Sequence, residues 1–234
     1  MTNKTTATKA RTSQSATTAS ATATTLRVTR PSGLPKRSPG RARSDSSRVA
    51  ILSAALRLLE TMPLQQISIE TIAREAGVGK ATIYRWWASK ASIVIEAFVQ
   101  YHVSHTAIPK DLASSKALAR HIQLMVDEYG GLSGRIVSQI LAEGQSDPSV
   151  LREFRERFWY GRRALVRELV EDARRQGEFR TDMDAEFQMD ILYAPIYMRL
   201  FMKHLPLDRK FADTHVDVML EMLKPPAAKG ADKS

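Results

Sequence analysis

Two short helix-forming runs meet at Gly77, and the twenty residues around it constrain this chain more than any other feature. They read Ser68-Ile-Glu-Thr-Ile-Ala-Arg-Glu-Ala-Gly-Val-Gly-Lys-Ala-Thr-Ile-Tyr-Arg-Trp-Trp87. Ser68 suits the N-cap of a short helix running through Ala76. Gly77 supplies the left-handed conformation wanted just past a helix end. A second short helix fits Lys80–Trp87. Ala73 is small where the two helices must cross. Ile72, Val78, Ile83 and Trp87 are spaced to lock them together. The second helix then presents Lys80, Ala81, Thr82, Tyr84, Arg85 and Trp86. These are donors, a methyl and aromatic rings, the groups that meet base edges and phosphates in a major groove.

The surrounding sequence is helical throughout. From Ser46, the residues Leu52, Ala55, Leu56 and Leu59 recur at helical spacing, and Met62-Pro63 ends that run. Ser89 caps a longer helix in which Val94, Ala97, Phe98 and Tyr101 share a face. Further helices are expected over 111–129, 133–144, 148–176, 184–204 and 208–223, with no strand signal. In the third of these, Leu151, Phe154, Phe158, Leu165 and Leu169 make one stripe. The fold class is therefore all-α with about nine helices: an N-terminal three-helix DNA-binding unit and a larger helical domain. The expected boundaries are a disordered basic tail (1–44), a DNA-binding domain (45–105, its helix-turn-helix at 68–87), a ligand-binding and dimerisation domain (106–224) and a flexible C-terminus (225–234).

Charge separates these parts. The 234 residues carry a formal net charge of +10. Residues 1–47 hold nine basic side chains against Asp45 alone, so the excess sits at the N-terminal end. A basic, Ser/Thr-rich segment of this kind stays disordered and can lie along phosphates. It has no apolar stretch of the signal-peptide kind, and no segment approaches a membrane span, so a cytoplasmic protein is expected, nucleoid-associated when bound to DNA, with no membrane partner.

The last two helices are apolar on more than one face. In 184–204, Phe187, Ile191, Ala194, Met198 and Phe201 form one stripe, and Leu192, Ile196 and Leu200 another. In 208–223, Phe211, Val218 and Met222 oppose Ala212, Val216, Met219 and Leu223. A helix apolar all round is covered from several sides, and a homodimer built through 184–204 and 208–223 accounts for this. Met125, Tyr129, Phe158, Trp159, Tyr193 and Tyr197 are candidates for a hydrophobic pocket that would hold an unknown small-molecule effector. Pro195 would leave the Ile191 carbonyl without its usual partner.

Several chemistries have no residues to carry them. The chain has no cysteine, which removes disulfides and thiolate metal sites. His102 and His105 lie three apart with no carboxylate at i+4, and read as solvated histidines near a helix C-terminus. Gly130-Gly131 and Gly134 lack the lysine and strand of a phosphate loop. The alternating charges of Arg152–Arg163 read as a solvated face. No catalytic set, metal site or cofactor is expected, and the chain is not expected to be an enzyme.

The run from Ile51 to Phe98, centred on Ala-Gly-Val-Gly-Lys-Ala-Thr-Ile-Tyr-Arg-Trp-Trp-Ala-Ser-Lys, resembles the N-terminal domain of the TetR family of bacterial regulators. The resemblance implies that Thr82 and Tyr84 contact phosphates or bases and that Lys80 and Arg85 read bases or backbone. It implies that Lys90 grips a phosphate and that Ser68 and Thr71 meet the DNA backbone. Trp87 would be core. Trp86 stands where the family often has a polar residue, which implies stacking on sugar-phosphate. Gly79 stands where Ser or Thr commonly caps the recognition helix. More loosely, Gly177–Glu186 and Ala194–Leu200 resemble the family's C-terminal domain. The function implied is a sequence-specific, ligand-responsive transcriptional regulator, a repressor released from a palindromic double-stranded DNA operator. The alternatives are a non-specific nucleic-acid binder driven by the basic tail and a helical enzyme with an accessory DNA domain.

Overall fold

A computed structural model describes residues 39–109 and 111–226, with side chains from residue 45 onward. Most of the expected tail (1–38) and of the expected flexible C-terminus (227–234) lies outside the described residues. Those described contain helices and no strand: α1 (Pro39–Thr61), a 3-10 turn (Leu64–Gln66), α2 (Ile69–Ala76), α3 (Lys80–Tyr84), α4 (Lys90–His105), α5 (Ser114–Tyr129), α6 (Leu132–Ser146), α7 (Pro148–Phe154), a π-helical segment (Arg155–Trp159), α8 (Tyr160–Arg175), α9 (Ala185–Met202) and α10 (Arg209–Leu223). With α7, the π segment and α8 counted as one rod, nine α-helical rods stand where nine were expected. The first begins at Pro39, inside the segment expected to be tail.

The N-terminal unit closes around one apolar seam. Leu52, Ala55 and Leu59 of α1 are buried with Ile72, Ala73, Ile83 and Trp87; of the four side chains expected to lock the two short helices, Ile72, Ile83 and Trp87 are buried and Val78 packs partly buried against them. The turn between α2 and α3 is a Schellman motif. Gly77 sits at φ 65°, Val78 N–H donates to Ala73 O at 3.0 Å and Gly77 N–H to Arg74 O at 3.3 Å, which satisfies two carbonyls at the helix end. Any residue with a Cβ would strain that left-handed position.

Helix α4 runs from this unit into the rest of the molecule. Ile93, Val94, Ile95, Ala97 and Phe98 are all fully buried, so both sides of the helix are covered. The one acid in that stretch, Glu96, accepts a hydrogen bond from Trp87 Nε1 at 2.8 Å. It also pairs with Arg48 of α1 and, at 3.5 Å, with Arg157 of the π segment. Arg157 in turn pairs with Glu153 at 2.8 Å, and Ser92 Oγ donates to Glu153 at 2.8 Å. A single polar chain thus stitches α1 and α4 to the rod.

The rod itself departs from the expected stripe. Phe154, Phe158, Val166, Val170 and Ala173 are buried, while Leu165 is 47% exposed. From Phe158 two regular turns lead to Leu165, seven residues on. The π turn in Arg155–Trp159 adds one residue to that repeat, so Val166 takes the inward place, Leu165 turns outward and Arg162 comes to the cavity. Pro195 lies inside α9 as expected. One turn away, His215 Nε2 donates to Leu192 O at 2.8 Å, pinning α10 to α9 next to the proline.

Replacing Glu96 by Ala strips Trp87 of its acceptor and leaves Arg48 and Arg157 without their shared partner. The expected cost is about 2 kcal/mol. Denaturant unfolding followed by tryptophan fluorescence measures it as a lower midpoint at unchanged slope.

Candidate functional site

The first turns of α2 and α3 form one exposed rim. Ser68 caps α2, accepting from Thr71 N–H at 3.1 Å while its hydroxyl meets Thr71 Oγ1 at 3.0 Å. Lys80 Nζ reaches across to Glu70 Oε1 at 3.0 Å. That bond lowers the Glu70 pKa and raises that of Lys80. Both groups are open to water, so a phosphate competes for Lys80 at little cost. Gly79 caps α3 with no side-chain bond.

Helix α3 is shorter than expected. It ends at Tyr84, and Arg85 and Trp86 stand in the turn beyond it. The reason is local: Trp86 and Trp87 N–H both fold back onto Ile83 O, at 2.9 and 3.0 Å, so that Trp87 can enter the core. Ala81, Tyr84, Arg85 and Trp86 are exposed and Thr82 is half-buried. The Arg85 guanidinium lies 6.0 Å from the Trp86 ring centroid, at the outer limit of a cation–π contact. Lys90 is placed differently from an open phosphate grip. Half-buried at the start of α4, its ammonium donates to Leu64 O at 3.0 Å. Leu64 N–H also donates to Gln139 of α6, so this corner joins the N-terminal unit to the larger domain.

Deeper in the larger domain, the six candidate pocket residues Met125, Tyr129, Phe158, Trp159, Tyr193 and Tyr197 line one cavity. Three further residues complete the wall: His102, Arg162 and Arg163. The free space at its centre is about 20 Å³, room for about one water molecule. Its walls come from α4, α5, the π segment, α8 and α9. Rings touch around it: Phe98 stacks on His102 at 5.1 Å, and Tyr129 and Trp159 each lie 5.9 Å from Tyr197. Tyr193 OH meets His121 Nε2 at 3.1 Å.

His102 is buried, contrary to the solvated position expected for it, whereas His105 is exposed. Burial, followed by the positive charge of Arg162, pushes His102 and His121 down to about 3, so both are neutral at pH 7. Burial raises the pKa of Tyr129, Tyr193 and Tyr197, which keep their protons. The alternating charges of Arg152–Arg163 are not all solvated either: Arg157 joins the Glu96 network and Arg162 is drawn to the cavity. Glu96 was not singled out in the sequence, and Arg162 entered only as part of the charged run Arg152–Arg163. The signals were present: a lone acid inside Ile93–Phe98, and a basic residue four after Phe158.

Because the folded state refuses protons at His102 and His121 that the unfolded chain accepts below pH 6.5, stability falls as pH drops from about 6.5 toward 3. The two together contribute a slope of about 2.7 kcal/mol per pH unit. His102→Phe keeps an aromatic ring and removes one titration, so the slope of unfolding free energy between pH 5.5 and 4 should fall by about 1.3 kcal/mol per unit. Urea titrations at three pH values measure it.

Residues 51–97 match the family model described as bacterial regulatory proteins, tetR family. Residues 114–219 match the model of the tetracyclin repressor-like C-terminal domain. The HTH-type transcriptional regulator YdeS of Bacillus subtilis is 32% identical over 161 residues, covering 69% of this chain and 81% of that protein. Among solved structures, the TetR family transcription regulator SCO0332 is 28% identical with a TM-score of 0.65, over 77% of this chain and all of that one. The transcriptional regulator FadR of Bacillus subtilis, solved in complex with stearoyl-CoA, shares the fold at 16% identity and a TM-score of 0.62, over 74% of this chain and 97% of that one. Matched over both its N-terminal unit and its larger helical domain, the chain belongs to the TetR family of bacterial transcriptional regulators.

Proposed function

We propose that this regulator is a homodimeric repressor that binds a palindromic operator and leaves it when a small molecule enters the aromatic cavity. The observation that carries the proposal is the pairing of two features joined by α4: an exposed helix-turn-helix rim and a closed cavity walled in part by His102. Two recognition helices in successive major grooves stand about 34–36 Å apart. A ligand that wedges the cavity open and displaces α4 would change that spacing, provided it prefers the displaced form. The ligand-bound neighbour FadR is consistent with an effector of this kind.

In this reading Tyr84, Arg85, Trp86, Lys80, Ala81 and Thr82 meet the groove, and Ser68 and Thr71 meet the backbone. Lys90 sets the angle between the two parts as well as serving a phosphate. The domains divide at about residue 105, where α4 ends. Tyr84→Ala and Arg85→Ala should each weaken binding to the operator by about 10- to 100-fold. Removing residues 1–38, which stops short of α1, should weaken binding and flatten its salt dependence while leaving sequence preference intact. Fluorescence anisotropy with DNA from upstream of the gene, against a scrambled duplex, reads both. Loss of all binding with the tail would favour the non-specific alternative.

The dimer is proposed through α9 and α10. Phe187, Met198, Phe201 and Met202 of α9 are each about half or more exposed, and so, within a few per cent, are Val218 and Met222 of α10. Apolar side chains in such density on one surface mark an interface. Their opposite faces, Leu192, Ile196 and Leu200, and Ala212, Met219 and Leu223, are buried in the chain's own core. Met198→Glu combined with Val218→Glu should convert the dimer to a folded monomer by light scattering and lower operator affinity by at least about 100-fold, because one half-site cannot replace two.

A further inference from the structure

One arginine of the cavity, Arg162, pairs with no carboxylate among the described residues. Arg163 offers the contrast, since its guanidinium bonds Glu186 at 2.6 Å and Asp190 at 2.8 Å. Its neighbour Arg162 bonds only neutral acceptors: one of its amino groups donates to the Thr106 carbonyl and, at 2.6 Å, to Thr106 Oγ1. Arg162 Nε is buried without a partner. Among the described residues no carboxylate pairs with it. Around it stand neutral His102 and the protonated hydroxyls of Tyr129, Tyr193 and Tyr197. A guanidinium does not release its proton at neutral pH, so the charge persists on a half-buried side chain whose Nε is buried and unpartnered.

We infer that the effector of this cavity is a small organic carboxylate on an apolar or aromatic body, with its carboxylate held by the Arg162 guanidinium. The inference rests on the reading of the cavity as the effector site and adds the ligand's chemistry. A carboxylate fits the planar fork of arginine through two parallel bonds, and the unpartnered Nε and the amino group now on Thr106 form such an edge. Phe158, Trp159 and Met125 supply the apolar wall for the rest of the molecule. Arg162 also borders a second, open cleft of about 500 Å³ between the segment after α4 and α8. Arg162 thus lines both the cleft, which it shares with Glu168 and Asp172, and the aromatic cavity.

The same contact supplies the regulatory step. Thr106 is the C-cap of α4, and its hydroxyl donates to His102 O at 2.8 Å. In the closed cavity Arg162 holds this end of α4 through Thr106. A carboxylate is the stronger acceptor and takes the guanidinium from the neutral Thr106 oxygens. That frees the end of the helix whose other end carries Lys90.

The test uses the full-length protein and four probes: 4-phenylbutyrate, decanoate and the primary amide of each. Calorimetric titration is expected to show at least one acid binding about tenfold or more tightly than its own amide. Arg162→Met should abolish that preference. Arg162→Lys, which keeps the charge but not the fork, should retain only part of it. The acid–amide comparison in the unaltered protein stands even where a variant fails to fold. Amides that bind as well as acids would overturn the carboxylate assignment and leave the cavity as an effector site. Preference for the acid retained in Arg162→Met would also overturn it. No binding by any of the four would overturn the assignment and the effector reading together, while operator binding stays as it was.

Discussion

A carboxylate on a buried helix holds the two halves of this protein in register. Glu96 lies in the middle of α4, among side chains that are fully buried, where an unpaired acid would cost several kcal/mol. It is stabilised by three partners from three places: the Trp87 indole just after the recognition helix, Arg48 on α1 and Arg157 on the π segment. Trp87 places the turn that carries Arg85 and Trp86, Arg48 fixes the first helix, and Arg157 fixes the rod that walls the cavity. Movement of α4 along its axis strains all three contacts at once. The helix is therefore held so that it moves as a unit or not at all, as the proposed switch requires.

The cavity and the recognition rim depend on that helix in different ways. At one end, Lys90 and Ser89 begin α4 beside Leu64, and through Leu64 they touch α6. At the other, His102 and Thr106 end it against the aromatic wall and Arg162. About four helical turns separate the two. No loop intervenes, so little of a displacement made at one end is lost before the other.

Much of this was legible in the sequence, and the limits follow physical lines. The helix-turn-helix depends on local chemistry: a serine cap, a glycine at positive φ and apolar side chains within twenty residues of one another. The six aromatic and apolar cavity residues were legible because such side chains are usually buried, and burial on several helices converges. The helix at 148–176 was legible as a rod but not as two phases, since a π turn is fixed by packing against Phe98 and His102 and has no local signature. Arg162 and Leu165 were misplaced for that reason, one read as solvated and the other as core. His102 was misread because its burial depends on Phe158 and Tyr129, far away in sequence. Arg85 and Trp86 fell outside α3 because the core's claim on Trp87 outweighed helix propensity.

The π segment sets more than the path of a helix. An α-helix turns about 100° per residue, so the extra residue held in Arg155–Trp159 decides which side of α8 looks inward. Deletion of Glu156, which does not line the cavity, would restore a regular helix and rotate Arg162 away from the aromatic wall with no lining side chain substituted. The polarity of the cavity is thus written into chain length rather than into residue identity. If the cavity is the effector site, a change of one residue in the length of this segment alters which molecules it accepts from nearly the same set of side chains.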